Sequence, residues 1–262
     1  MPAAPRRTAG PGTVRPVVLV TGASSGIGEA VAERFAAADG WRLLLAGRDG
    51  ERLAAVARRT GGRALAADLG ERAGVERLAA DALAAGGRVD VLVAAAGIGW
   101  AGPFVEMPAE DVDRLVAVNL SAVVHLVRLV LPGMVRRGSG RVVLIGSIAG
   151  SVGVRNEAVY AATKGALVAF ADSLRYELAG TRVRVSVVSP GAVDTPFFGR
   201  RGVPYPREHP RPVPAGRVAD AVWRAAVRGR GTDSFVPGWL GAPARLRGAL
   251  PGVFRALAKR FG

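Results

Sequence analysis

The chain has 262 residues, 50% of them hydrophobic and 22% charged, with no cysteine, two histidines and a formal net charge of +15. That is enough chain for one large domain with a substantial core, and it excludes collagenous, disulfide-stapled and globally disordered classes. With no thiolate and only His125 and His209, a cysteine nucleophile and a Cys/His metal centre are excluded too, and no metal site is expected.

The opening MPAAPRRTAGPGTVR carries arginines without an apolar stretch, so residues 1–15 read as a flexible tail and not as a secretion signal. No run approaches eighteen uninterrupted apolar residues; no bilayer span and a cytoplasmic location are expected.

From residue 16 onward the chain alternates. Short apolar runs at Val17–Val20, Leu43–Ala46, Ala64–Ala67, Val89–Ala94, Arg141–Gly146 and Val183–Val188 are bounded by Gly, Asp or Ser. Continuous apolar runs of that length suit strands covered on both faces. Between them, Ile27–Ala38, Val75–Ala85, Val112–Val135 and Ala158–Leu178 place apolar residues three and four apart, the helical spacing. The alternation predicts an α/β fold, a single doubly wound Rossmann-type domain over residues 16–241, with a parallel sheet and helices on both faces.

Two segments break the rhythm. Pro196–Pro214 holds six prolines and four arginines, which predicts a loop or lid without regular helix, part of a substrate loop over residues 196–216. Residues 242–262 form a basic amphipathic extension, with Leu246, Leu250, Val253, Phe254, Leu257 and Phe261 at helical spacing among Arg245, Arg247, Arg255, Lys259 and Arg260. Pro251 confines any helix there to a late, short stretch.

The charge is local: from Phe197 to the end, thirteen basic residues face three acidic ones. Of the 36 basic residues all but Lys164 and Lys259 are arginine, a compositional habit that says little about function. No recognition motif or zinc spacing accompanies it, so no nucleic-acid partner is expected. The extension suits a helix packed on its own domain, peripheral contact with an anionic membrane, or cover for a neighbouring subunit's pocket.

The first strand runs directly into Thr21-Gly22-Ala23-Ser24-Ser25-Gly26-Ile27-Gly28, and an apolar-periodic helix follows. Glycines at 22, 26 and 28 permit a tight turn and let backbone approach a pyrophosphate, whose charge is favoured at a helix N-terminus. Tyr160 and Lys164 stand four apart, on one face of a helix. A phenol with its ordinary pKa is about one part in a thousand ionised at neutral pH; a neighbouring ammonium and an oxidised nicotinamide, both positive, would favour the phenolate and suit it to acid/base work. Ser147 lies thirteen residues upstream, able to hydrogen-bond a substrate oxygen as charge develops there.

The G-x-x-x-G-x-G spacing, with Asp68-Leu69, Ala96-Gly97, Asn119, Ser147, Tyr160-Ala161-Ala162-Thr163-Lys164 and Ser189-Pro190-Gly191-Ala192-Val193-Asp194-Thr195 in that order, resembles the short-chain dehydrogenase/reductase family over nearly all of residues 17–196. The resemblance implies hydride transfer between a nicotinamide cofactor and a carbonyl or alcohol. It makes Asn119, Ser147, Tyr160 and Lys164 the catalytic set, with Ser147 and Tyr160 on the substrate and Asn119 holding a water that relays protons from Lys164. It implies cofactor contacts at Thr21, Gly22, Ser24, Ser25, Gly26, Ile27, Gly28, Arg48, Asp68, Leu69, Ala96, Gly97, Asn119, Tyr160, Lys164, Pro190, Gly191, Val193 and Thr195. Of these, Asp68 and Leu69 frame the adenine, and Val193 and Thr195 meet the carboxamide. Arg48 stands twenty residues beyond Gly28, where an acid would suit the ribose hydroxyl of NAD and an arginine the 2′-phosphate of NADP; NADP(H) is expected, with Asp49 as a helix cap.

The family's usual Asn-Asn-Ala-Gly is here Ala94-Ala95-Ala96-Gly97, so other groups must satisfy that backbone. The resemblance further implies a homodimer or homotetramer formed through the long helices, and a small carbonyl or alcohol substrate, free or bound to an acyl carrier. His125 reads as a packed or interface histidine, while Trp100, Phe104, Phe197, Phe198 and Tyr205 flank the expected pocket. The competing reading is a catalytically silent cofactor sensor on the same fold.

Overall fold

The computed structural model describes residues 15–203, 205, 210–254 and 257. Expectations for residues 1–14, for Pro204, Pro206, Arg207 and His209, and for Arg255, Lys259, Arg260 and Phe261 lie outside the described residues.

Seven parallel strands form the central sheet, in the order β3-β2-β1-β4-β5-β6-β9. They are β1 (Val17–Thr21), β2 (Arg42–Gly47), β3 (Arg63–Ala66), β4 (Val91–Ala94), β5 (Gly140–Ile145), β6 (Val183–Pro190) and β9 (Asp233–Val236). The continuous apolar runs of β1 and β4 to β6 are buried on both faces, as strands sandwiched between helix layers must be. Alternate residues serve opposite layers: Leu19, Leu44, Leu92 and Leu144 meet α3 (Arg72–Gly86), α5 (Ala122–Arg136) and α7 (Ala158–Glu177). Val18, Val20, Leu45 and Val93 face α1 (Gly26–Ala36), α2 (Gly50–Thr60) and α9 (Ala215–Arg228). Fully buried Leu19, Leu44, Phe35 and Leu126 each contribute about 1.5–3 kcal/mol by leaving water.

The α1/α9 layer is closed by an aromatic cluster. Phe35 meets Trp41 edge-on at 5.0 Å and Trp223 at 4.9 Å, and Arg34 lies over Trp223 while pairing with Asp220. The Val112–Val135 prediction resolves into α4 (Ala109–Val116), a π-helical turn over Ala117–Ser121, and α5. By length and composition this stretch could cross a bilayer, yet Val123, Leu126, Val127, Val130 and Met134 are packed into the domain's own core.

Three stretches of the chain differ from the sequence reading. Pro196–Pro214 does contain helix: α8 (Phe197–Arg200) follows Pro196, whose fixed φ suits a helix start, and Val193–Asp194 (β7) pairs with Val213–Pro214 (β8). The seventh strand β9 and the helix α9 were not anticipated. The C-terminal helix α10 (Gly241–Ala249) begins well before Pro251, tolerates Pro243 in its first turn and packs against α6 (Ile148–Val152); Pro251–Phe254 forms a second helical turn.

Candidate active site

From β1 the chain proceeds to one side of the sheet and from β4 to the other, so a crevice opens at the carboxyl ends of these neighbouring strands. The Thr21–Gly28 turn forms its floor. A Cβ on Gly28 would stand 2.2 Å from the Gly22 carbonyl oxygen, and one on Gly22, at φ +68°, would stand 2.8 Å from Ala96 Cα. Ser25 supplies no side-chain cap to α1, which leaves the first-turn amides at Gly26, Ile27 and Gly28 to an anion. Ser24 lies below Gly47, so an acid there would press on its hydroxyl. The donors and the glycine cradle fit a dinucleotide pyrophosphate.

Thr21 takes over the work of the missing asparagine amides. Its buried hydroxyl accepts from the Ala95 and Ala96 amides, both at 3.1 Å, and so ties the end of β4 to β1. At the end of β2, Arg48 is exposed beside buried Gly47. Asp49 caps α2 as expected: it accepts from the Arg52 amide at 3.0 Å and from the Arg52 guanidinium at 2.6 Å, and these bonds hold its carboxyl below the usual carboxylate range.

Asp68 is exposed and accepts from the Gly70 amide at 2.8 Å, while Leu69 packs against the core beneath. Past β6, the Gly191 amide donates to the Val236 carbonyl, tying the Pro190-Gly191 segment to β9. Val193 is buried in the apolar core, which leaves only its main chain to a ligand. Thr195 lies over the glycine turn, its methyl 3.2 Å from where a Gly26 Cβ would be.

The polar cluster is built on α7. Lys164 is 4% exposed, and its Nζ donates to the Ile145 carbonyl at 2.9 Å, two residues before Ser147. Ser147 caps α6 by accepting from the Ala149 amide at 3.2 Å. Tyr160 lies one turn before Lys164, whose Nζ is 5.8 Å from the ring centroid. The structure therefore brings Ser147, Tyr160 and Lys164 together, with Gly97 against the Lys164 ammonium and the Asn119 amide.

Asn119, in the π turn, is wholly buried. Its Oδ1 accepts from the Ile98 amide and its Nδ2 donates to the Ile98 carbonyl, both at 2.9 Å. Its side chain thus pins the loop after β4, a role the sequence did not indicate. Thr163 was missed as well: 2% exposed, it donates to the Tyr160 carbonyl at 2.8 Å and lies 3.5 Å from Asn119 Nδ2. Its place inside the Tyr-x-x-x-Lys run was the available signal.

Without a nicotinamide beside it, the Tyr160 phenol is harder to ionise than a free one. Burial pushes the phenol up to about 12, with Glu157 adding to the rise and Ser147 and Arg201 pulling part-way back. Burial likewise pushes Lys164 down to about 8. The common cause is desolvation, which disfavours the charged form of each group.

The wall residues divide. Phe197 packs against Gly99 and meets the Tyr160 ring at 5.6 Å, Phe198 meets Tyr205 at 5.2 Å, and Trp100 folds over Gly102. Phe104 is 62% exposed. His125 is half-buried on α5.

A profile described as short chain dehydrogenase matches residues 16–203. The chain belongs to the short-chain dehydrogenase/reductase family. An NADP-dependent 3-hydroxy acid dehydrogenase of Salmonella typhi is 39% identical over 180 residues, covering 68% of this chain and 72% of the relative. A short-chain dehydrogenase from Sphingobium yanoikuyae, solved with NADPH, superposes with a TM-score of 0.81 at 33% identity, covering 93% of this chain and 95% of that one. A 3-ketoacyl-(acyl-carrier-protein) reductase from Brucella melitensis, solved with NADH, gives 0.78 at 29% identity, covering 84% and 96%. As a short-chain dehydrogenase/reductase the chain is an oxidoreductase that takes a nicotinamide cofactor and acts on small molecules.

Proposed function

We propose that this short-chain dehydrogenase/reductase is an NADP(H)-dependent enzyme interconverting a carbonyl and an alcohol, with Tyr160 as the proton-transfer group. The observation that carries the reading is the convergence of Tyr160, Lys164 and Ser147 beside the glycine turn, with Lys164 anchored on Ile145 two residues before Ser147.

When bound, the nicotinamide exchanges a hydride with the substrate carbon. Tyr160, protonated at neutral pH like any phenol and made harder to ionise by burial, is set to donate its Oη proton to a carbonyl oxygen and to take it back in the reverse direction. Ser147 offers its hydroxyl to the same oxygen as negative charge develops. Lys164 supplies positive charge under the ring, and Asn119 holds the loop that carries Gly97 in register with both. Glycines 22, 26 and 28 with Ser24 and Ser25 would hold the pyrophosphate, Asp68 and Leu69 would flank the adenine, and Thr195, which lies over the glycine turn, would contribute to the same cradle.

Arg48 supports the preference for NADP(H). It is exposed where Gly47 supplies no carboxylate, and the carboxylate of Asp49 is already engaged by Arg52. A homo-oligomer fits the exposed Val116 and Val135 and the 79% exposed Tyr176 on α4, α5 and α7.

The test is a panel of ketones, aldehydes and alcohols with NADPH and NADH, read by nicotinamide absorbance. NADPH-linked turnover is expected, falling at least about a hundredfold in Tyr160→Phe while the variant stays folded. Tight cofactor binding with a silent panel would favour the sensor reading.

A further inference from the structure

Glu157 and Arg201 are both largely inaccessible, with side chains 15% and 4% exposed, and they pair directly. Glu157 occupies the N-cap position of α7, three residues before Tyr160, and its carbonyl accepts from the Ala161 amide at 2.8 Å. Arg201 follows α8 in the lid. Its Nε donates to the Val203 carbonyl at 3.0 Å, and its guanidinium lies 4.7 Å from the Phe198 ring centroid. Phe198 meets Phe197 edge-on at 5.7 Å, and Phe197 meets Tyr160. One ionic and one aromatic connection thus join the same lid helix to the same turn of α7.

We propose that Glu157 and Arg201 are a positioning pair for Tyr160, clamping α8 onto the first turn of α7 so that the phenol is held beside Ser147 and beneath Phe197. The proposal rests on Tyr160 as the proton-transfer residue. An apolar pair of similar size would fill this space as well or better. What the ion pair adds is direction, and two opposite charges next to the phenol. The groups acting on Tyr160 are Lys164 from its own helix, Glu157 from the start of that helix, Arg201 from the lid and Ser147 from the cap of α6. Glu157 opposes ionisation of the phenol and Arg201 favours it, so the intact pair acts nearly as a neutral unit.

Glu157→Gln, Arg201→Met and the double variant separate charge from clamp. The chain has three tyrosines, so ring Cζ signals in a tyrosine-labelled sample are few, and loss of one in Tyr160→Phe assigns it. At about pH 11, above the ordinary tyrosine pKa, the ionised fraction of Tyr160 should be larger than wild type in Glu157→Gln and smaller in Arg201→Met. It should return to wild type in the double variant. For a substrate found in the panel, kcat should fall at least about tenfold in both single variants and in the double variant, with the cofactor KM within about twofold. The double variant carries no unpaired buried charge and keeps the test open if a single variant fails to fold. Ionised fractions that move the same way in both single variants, or an unchanged kcat in the double variant, overturn the clamp. Full turnover in Tyr160→Phe overturns the catalytic assignment instead, and the titration then decides the charge coupling by itself.

Discussion

The Thr21–Gly28 turn and the Phe197–Val203 segment face the same crevice and are held by opposite means. In the turn, backbone sits on backbone: no side chain fits at Gly28 or Gly22 without striking main-chain atoms. In the lid, a Cβ on Gly199 or Gly202 would meet nothing within 4 Å, and the segment is fastened by Arg201, Phe197 and Phe198 reaching to distant partners. The turn is rigid because of what it lacks, and the lid is placed by what its side chains find. A cofactor site built the first way is nearly invariant to its surroundings, whereas a substrate site built the second way can be retuned by single side chains.

The contrast breaks most visibly at Gly28. In Gly28→Ala the new methyl stands 2.2 Å from the Gly22 carbonyl oxygen, so the turn itself must shift. Overpacking against backbone should cost about 3 kcal/mol, read by thermal or denaturant unfolding, and dinucleotide binding should be lost in the same variant. Binding at wild-type affinity would mean the turn is as adaptable as the lid.

Lys164 sharpens the rigid side of the comparison through pH. Its pKa is pushed down to about 8 when folded, against an ordinary value of about 10.5 when unfolded. Below pH 8 both states are protonated and the buried charge weighs fully on the native state. Between the two values the unfolded chain binds the extra proton, so unfolding free energy rises with pH by about 3 kcal/mol across that window. Lys164→Met should lack this rise, and comparing the two proteins by urea unfolding from pH 8 to 10 isolates it. Parallel curves would show that the crevice floor admits water to the ammonium.

A smaller effect is expected at the exposed rim. Arg48→Ala should raise the KM for NADPH about tenfold, the worth of one charge-assisted contact of about 1.4 kcal/mol, and leave that for NADH almost unchanged. Equal effects on the two cofactors would remove the 2′-phosphate role.

How much of this was legible follows from the same physics. β1 and β4 to β6 announce themselves because burial on both faces demands unbroken apolar runs. Strand β9 does not: as the sheet edge it carries Asp233 and Ser234 and is only partly covered. Helix α9 shows good spacing at Val218, Val222 and Ala226, but it begins directly after Pro214, and the proline-rich stretch read as loop hid its start. At the site, residue types were readable and their environments were not. Tyr160 and Lys164 stand out by spacing, yet the direction of each pKa shift depends on desolvation, which no local pattern records. Glu157 and Arg201 lie 44 residues apart, one of them among thirty-four arginines, and only the folded lid joins them.

The smallest expected effect is the most direct check on the lid. Gly199 lies within α8, its backbone is outside the left-handed region, and an added methyl meets open space. Alanine is the better helix former by about 1 kcal/mol in a long helix, and a four-residue helix captures only part of that. Gly199→Ala should therefore change stability by no more than about 0.5 kcal/mol, measured as the shift in denaturant midpoint beside Gly28→Ala. Two glycines facing one crevice would then differ by several-fold in cost for the same added carbon. A loss at Gly199 comparable to that at Gly28 would show that the lid, too, is seated backbone against backbone, and the distinction between the two walls would fall.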